Sequence, residues 1–349
     1  MQPTPPSRAP IKPWLCWTLL ALNILVWLAM VVGGVDAMNP TAEQLFDWGG
    51  NRGLVTIHGQ WWRLLSAMFL HAGLLHLAFN GYALWAVGRV TEQVFGPVAF
   101  ALIYFGSGLI ASTISVLWQP TVVSVGASGA LFGVFGSFLG FTVRRREVLP
   151  EAFVKQVSRN ALSLIGINLV IGLSVKSIDL AAHVGGLMAG GGIGWLLATL
   201  TERTPRSRED NRAIRRRAVG LTTLATIAVL AVAVWAIPRW DDVFGTLDRV
   251  DAIHRQAIEA YDTAKDALLR KRVLAERVIP AMSELEAMLA ALERVPTRMR
   301  PRVAKLTQYS RLRRAAFEAE LAALDSGDPA RLREAETLHR QASKFLGAT

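Results

Sequence analysis

Between Pro13 and Ile237 the chain repeatedly runs apolar for about the length a bilayer demands, and this recurrence constrains the fold more than any other feature. A helix rising about 1.5 Å per residue needs roughly 17–25 apolar residues to cross a hydrocarbon layer about 30 Å thick. Seven segments reach or approach that length, at residues 14–32, 64–90, 98–117, 128–143, 161–175, 180–200 and 219–237. The mean hydropathy of +0.33 coexists with a formal charge of +11, because charged and apolar residues are segregated along the chain. Such a sequence argues against disorder and reads as an all-α polytopic membrane protein.

The first segment is longer than the apolar part of a signal peptide and no small-x-small cleavage site follows it, so an uncleaved span is expected. The single cysteine, Cys16, lies within it, which excludes disulfides inside the chain and leaves no thiolate cluster for zinc or iron–sulfur ligation; lipid exposure or packing is its expected role.

Lys and Arg set the expected orientation. With the N-terminus inside, fifteen of them fall on inner connections, among them Arg144, Arg145, Arg146 and the run from Arg203 to Arg217, against only Arg52, Arg63 and Lys176 outside. The basic balance is therefore topological. The cluster Arg212–Arg217 faces anionic headgroups, and no nucleic-acid partner is expected. Residues beyond 240 alternate charge with Leu and Ala at helical spacing and read as a soluble helical region outside the cytoplasm, with a break near Pro296–Pro301.

Polar residues inside apolar helices are expected to be paired or functional. His76 and Asn80, spaced i and i+4, share one helical face. Ser128 opens the fourth segment in Gly126-Ala127-Ser128-Gly129, and His183 stands near the start of the sixth in Ala182-His183-Val184-Gly185-Gly186. Counting to the first charge at the inner end gives 16 residues from His76 to Glu92, 16 from Ser128 to Arg144, and 19 from His183 to Glu202. These are about 24, 24 and 28 Å of helix, so the three side chains share one depth just below the outer surface. Glycines at 129, 133, 136 and 140 on one helix and at 186, 190 and 194 on another allow close backbone approach. A hydroxyl beside an imidazole is a nucleophile beside its base, and His76, Asn80 and the Ser128 backbone N–H supply donors for a tetrahedral oxyanion. Residues 33–60 form a long connection closing on Trp61-Trp62-Arg63, which suits an element lying in the headgroup region, its guanidinium bonded to loop carbonyls.

Together Trp62-Arg63, His76 to Asn80, Gly126 to Gly129 and Ala182 to Gly186 resemble the motifs of the rhomboid family of intramembrane serine proteases, in the family's order, over residues 61–194. The resemblance implies a six-helix core cleaving single-span membrane proteins that approach through the bilayer, with a small side chain before the cut bond and a locally unwound helix. It implies Ser128 as nucleophile, His183 as general base, His76 and Asn80 as oxyanion donors, and no metal or other cofactor. Glu92 resembles the family's acidic residue at the inner end of the second span, Phe132 the aromatic residue that stacks on the histidine, and His71 a second, structural histidine. Asp179, four residues before His183, is expected to cap its helix rather than complete a triad. An inactive relative that only binds membrane segments is the alternative; a transporter is disfavoured because no inverted repeat is evident.

The expected organisation is residues 1–13 cytoplasmic, 14–200 the six-span core, 201–218 a basic cytoplasmic linker, 219–237 a seventh span outside the family pattern, and 238–349 an extracytoplasmic helical tail.

Overall fold

The computed structural model describes residues 12–152, 154–156, 159, 163, 166, 179–201 and 208–346. The expected fifth segment, 161–175, lies almost wholly outside them. The chain divides into two compact units at Pro238/Arg239.

In the first unit, α1 (Trp14–Val32) begins where its unpaired amides meet a carboxylate: Glu92 accepts from the backbone N–H of Leu15 at 3.1 Å and of Cys16 at 2.8 Å. A helix N-terminus carries four such orphan donors and a partial positive charge, so a fully buried Glu92 is stabilised there. Cys16 is buried as packing, its Sγ 3.3 Å from the Leu84 carbonyl oxygen.

The connection after α1 holds a short helix α2 (Ala42–Asp47), whose Thr41 and Gln44 form a reciprocal capping box, and a two-residue strand β1 (Asn51–Arg52). This strand pairs antiparallel with β2 (Val123–Ser124), in register Asn51 with Ser124.

The expected second span is not one helix from Leu64. A short helical stretch, Arg63–Phe69, is followed by a bend of 91° into the long helix α3 (Leu74–Phe95). Gly73 makes the bend at φ +95°, where an L side chain is disfavoured and a Cβ would run into the Met38 carbonyl; the Leu74 N–H then donates to the Ala37 oxygen at 2.9 Å. A run of apolar residues hid this corner because hydropathy does not register backbone handedness.

Gly96 at φ +85° and Pro97 at the first helical position turn the chain into α4 (Pro97–Trp118). Then come α5 (Ser128–Arg145), α6 (Leu180–Leu200) and α7 (Arg208–Trp235). Four of these helices, α1, α4, α6 and α7, are long and apolar enough to cross a membrane, and the bent pair makes a fifth. α5 falls short because its apolar part ends at Val143, where Arg144 and Arg145 begin. The described residues form a predominantly helical multi-pass membrane fold with one short two-stranded pairing.

The core lies where α4 meets α1, α5 and α6: Phe100, Ile103 and Tyr104 are fully enclosed, with Leu19, Leu131, Val134, Ile193 and Leu197 around them. α5 and α6 touch at backbone distance. A Cβ on Gly190 would stand 2.5 Å from the Gly133 Cα, one on Gly194 2.7 Å from the Ser137 Cα, and one on Gly136 2.9 Å from the Gly191 nitrogen. Any side chain on this strip wedges the helices apart.

The second unit is also helical: α8 (Val243–Thr263), α9 (residues 267–290), α10 (Arg300–Ser326) and α11 (Pro329–Leu346). Pro280 has no N–H to donate, and one wider turn at Leu274–Val278 precedes it in α9. Leu274, Met282, Leu285, Leu289 and Phe317 are enclosed. The Tyr261 hydroxyl donates to the nearly buried Glu320 carboxylate at 2.9 Å, and burial together with that charge pushes its pKa up to about 12.

Replacing Gly190 by valine should abolish the monodisperse folded protein in detergent, whereas Gly192→Ala, which points into open space, should leave it intact. Size-exclusion profiles and thermal unfolding of the two variants check this; equal behaviour would contradict backbone contact along the strip.

Candidate active site

Ser128 is the first residue of α5 and His183 the fourth of α6, so both stand at the N-terminal ends of the two helices in backbone contact. Gly126, at φ +122°, turns the chain into α5, and its N–H donates to the Ala67 oxygen at 2.8 Å. Gly129, the residue after Ser128, leaves room for α4: a Cβ there would lie 2.8 Å from the Ala111 Cβ.

The Ser128 Oγ and His183 Nε2 are 2.9 Å apart. The ring of Phe132, one turn below Ser128, stacks on the His183 imidazole at 4.3 Å between centroids and 14° between planes. If Nε2 accepts the serine proton, Nδ1 carries the hydrogen, and that atom has no partner among the described residues. Asp179 does not reach it. One carboxylate oxygen caps α6 by accepting from the Ala182 N–H at 3.0 Å, and the other accepts from the Ser115 hydroxyl of α4. The expected capping role is therefore what the geometry displays.

His76 lies on the third residue of α3, close to the bend. Its Nδ1 accepts from the Ala72 N–H at 3.2 Å, which leaves Nε2 as the N–H donor. That edge faces Gly126: a Cβ on Gly126 would be 2.9 Å from His76 Nε2 and 3.7 Å from Ser128 Oγ, so glycine here keeps open the space between the two. Asn80 is buried and gives one amide hydrogen to the His76 carbonyl at 2.9 Å; among the described residues neither it nor His76 bonds Ser128 directly. His71 is fully buried, edge-on to His76 with centroids 5.3 Å apart, its Nδ1 3.2 Å from the Phe69 carbonyl oxygen.

Two of the singled-out groups sit away from the serine. Arg63 donates to the carbonyls of Phe46 at 2.5 Å and Gly50 at 2.9 Å and to Gln60 Oε1 at 2.6 Å, its guanidinium lying over the rings of Phe46 and Trp62. It thereby pins the long connection, as the sequence suggested. Glu92 is at the opposite end of α3, on the α1 terminus. The Ser115–Asp179 contact was not legible in the sequence, since Ser115 is one of several hydroxyls along α4 and nothing in spacing marks it.

With this geometry in view, the comparisons are specific. A model described as the Rhomboid domain matches residues 58–200. RHOMBOID-like protein 5 of Arabidopsis thaliana is 30% identical over 233 residues, covering 56% of this chain and 74% of that protein. The Rhomboid protease GluP of Bacillus subtilis (strain 168) is 36% identical over 179 residues, 51% of this chain, and the match spans about a third of GluP's length, 34%. The Putative rhomboid protease YdcA of the same organism is 29% identical over 191 residues, 54% of this chain and 85% of that protein. Fold and relatives define a multi-pass helical membrane protein of a lineage that includes proteins named proteases. The chain belongs to the rhomboid family.

Phe132→Ala should lower turnover of any reaction at this serine by loosening His183, while Asp179→Asn, which still caps, should keep most of it. A loss near 10⁴-fold in Asp179→Asn, the size seen when a triad aspartate is replaced, would contradict a two-residue arrangement. Steady-state rates with one substrate compare the two.

Proposed function

We propose that this chain is an intramembrane serine endopeptidase that cleaves transmembrane segments of membrane proteins through Ser128 and His183. The observation that carries the reading is the 2.9 Å contact between Ser128 Oγ and His183 Nε2 at the meeting ends of α5 and α6. In the proposed reaction His183 Nε2 takes the hydroxyl proton as Oγ adds to the scissile carbonyl. The same imidazole then returns the proton to the leaving amine, and water releases the acyl-enzyme by the reverse sequence. The tetrahedral oxyanion is met by the Ser128 backbone N–H in the opening turn of α5, by His76 Nε2–H, and by the Asn80 amide hydrogen not given to the His76 carbonyl. Phe132 orients the imidazole without adding charge. Gly126 and Gly129 give the space, and Trp62, Arg63 and Glu92 hold the frame. No metal or other cofactor enters this mechanism.

Short helical reach supports access of water. The apolar part of α5 ends after 16 residues, from Ser128 to Val143, about 24 Å, less than the hydrocarbon thickness. A regular helix hides its carbonyls, so the substrate is a single span with locally loosened backbone. The surrounding bilayer delivers it.

In the same reading residues 14–200 form a six-span core, 219–237 a seventh span, and the Arg asymmetry places residues 1–13 and 201–218 in the cytoplasm and 238–349 outside it. The tail acts on substrate access rather than on chemistry.

In detergent, the purified protein should cleave a transmembrane substrate and be labelled covalently by a fluorophosphonate. Ser128→Ala and His183→Ala should each abolish cleavage, Asn80→Ala should cost on the order of 10–1,000-fold, and EDTA should leave the rate unchanged. A tenth of wild-type turnover in either of the first two variants would sink the assignment, and an unlabelled wild type would favour an inactive binder of membrane segments. For orientation, alkaline phosphatase fused after Thr349 should be active and green fluorescent protein dark. The opposite pattern would place the tail in the cytoplasm.

A further inference from the structure

α4 touches both helices of the proposed dyad, and it does so with three positions spaced i, i+3 and i+4, on one helical face. Ala111 faces Gly129, one residue past Ser128; Ile114 faces Gly185, two past His183, where a Cβ would lie 2.7 Å from the Ile114 Cδ1; and Ser115 reaches Asp179, four before His183. Two of these contacts are steric and set distance. The third is a hydrogen bond and sets direction.

Ser115 differs from Ser107 and Thr113 on the same helix. Ser107 Oγ lies 2.5 Å from the Ile103 carbonyl and Thr113 Oγ1 2.8 Å from the Leu109 carbonyl, the usual resting place of a hydroxyl inside a helix. Ser115, only 3% exposed, instead bonds across to an acceptor 64 residues away. Asp179 then passes the restraint into the first turn of α6, through its other oxygen on the Ala182 N–H and its backbone oxygen, which accepts from the His183 N–H at 3.2 Å. His183 Nδ1 has no partner of its own among the described residues. Its imidazole is therefore oriented by the Phe132 ring on one side and by the placement of its own backbone on the other.

We infer that Ser115 is a positioning residue for the reaction: through Asp179 it fixes the start of α6 against α4 and so holds His183 Nε2 in line with Ser128 Oγ. This rests on the dyad proposed above. A displacement of about 1 Å at a reacting group costs up to ~100-fold in rate, and one hydroxyl at the root of α6 is enough to permit it.

The experiment uses the full chain in detergent with a fluorophosphonate to count active sites. Ser115→Ala should lower kcat per titrated site by about 10–100-fold, with KM within twofold of wild type and the number of titratable sites unchanged. Ser115→Thr, which keeps the hydroxyl, should restore most of the rate. Thr113→Val, which removes a back-bonded hydroxyl from the same helix, should leave kcat per site within about twofold. Asp179→Ala should resemble Ser115→Ala, and the double variant should be no slower than the slower single one, because the two act through one connection. Undiminished kcat in Ser115→Ala, a fall in titratable sites that accounts for the loss of rate, no rescue by threonine, or additive losses in the double variant would each overturn the inference. Amide exchange over residues 180–184 reads the same restraint without activity: it should quicken in Ser115→Ala, and unchanged protection there would also overturn it. A wild type that fails to titrate refutes the dyad while the exchange result still decides whether Ser115 anchors α6.

Discussion

Backbone contact between α5 and α6 is the condition on which the rest of the structure depends. In lipid, apolar burial gives no net attraction between helices, so association relies on close van der Waals packing, which small residues permit. Glycines at 129, 133, 136 and 140 meet glycines at 186, 190 and 191, Gly194 meets Ser137, and the carbonyls of one helix occupy the space that side chains would take on the other. Two helices locked at this distance cannot slide without collision. Ser128 and His183 are at fixed stations on them, so their separation is inherited from the strip rather than made locally.

The second organising principle is that three charged side chains of the membrane unit, Glu92, Asp179 and Arg63, are matched to backbone groups that would otherwise lack partners. Glu92 takes the amides that open α1, Asp179 takes one that opens α6, and Arg63 gathers the carbonyls of Phe46 and Gly50. A charge that would be costly alone becomes the missing hydrogen-bond partner of a helix terminus or loop. Each such pair also fixes where an element starts, which is why the same residues that satisfy the backbone also define the frame around the serine.

Much of this was legible beforehand, for identifiable reasons. The bilayer imposes a length on apolar runs, so the bounds of α1 and α6 could be read as they stand, and counting from His76, Ser128 and His183 to the first charge along each segment was the reason to expect the three near one another. Phe132 on His183 came from one turn of helical spacing together with the family resemblance. The corner at Gly73 did not show, because residues 64–90 are apolar on both sides of it and hydropathy is blind to a left-handed φ. Ser115 escaped because a serine in a helix usually serves its own backbone, and only the fold brings Asp179 within reach. The Tyr261–Glu320 pair is separated by 59 residues and was invisible for the same reason. Local rules predict local partners; long-range hydrogen bonds require the packing that creates them.

Cys16 has a different consequence. It is the chain's sole thiol, 1% exposed and lodged against the Leu84 carbonyl where α1 crosses α3. No second thiol exists in the sequence to bridge to it. The packing of α1 against α3 therefore uses the cysteine as a small apolar side chain, and no disulfide within this sequence enters the stability of the fold.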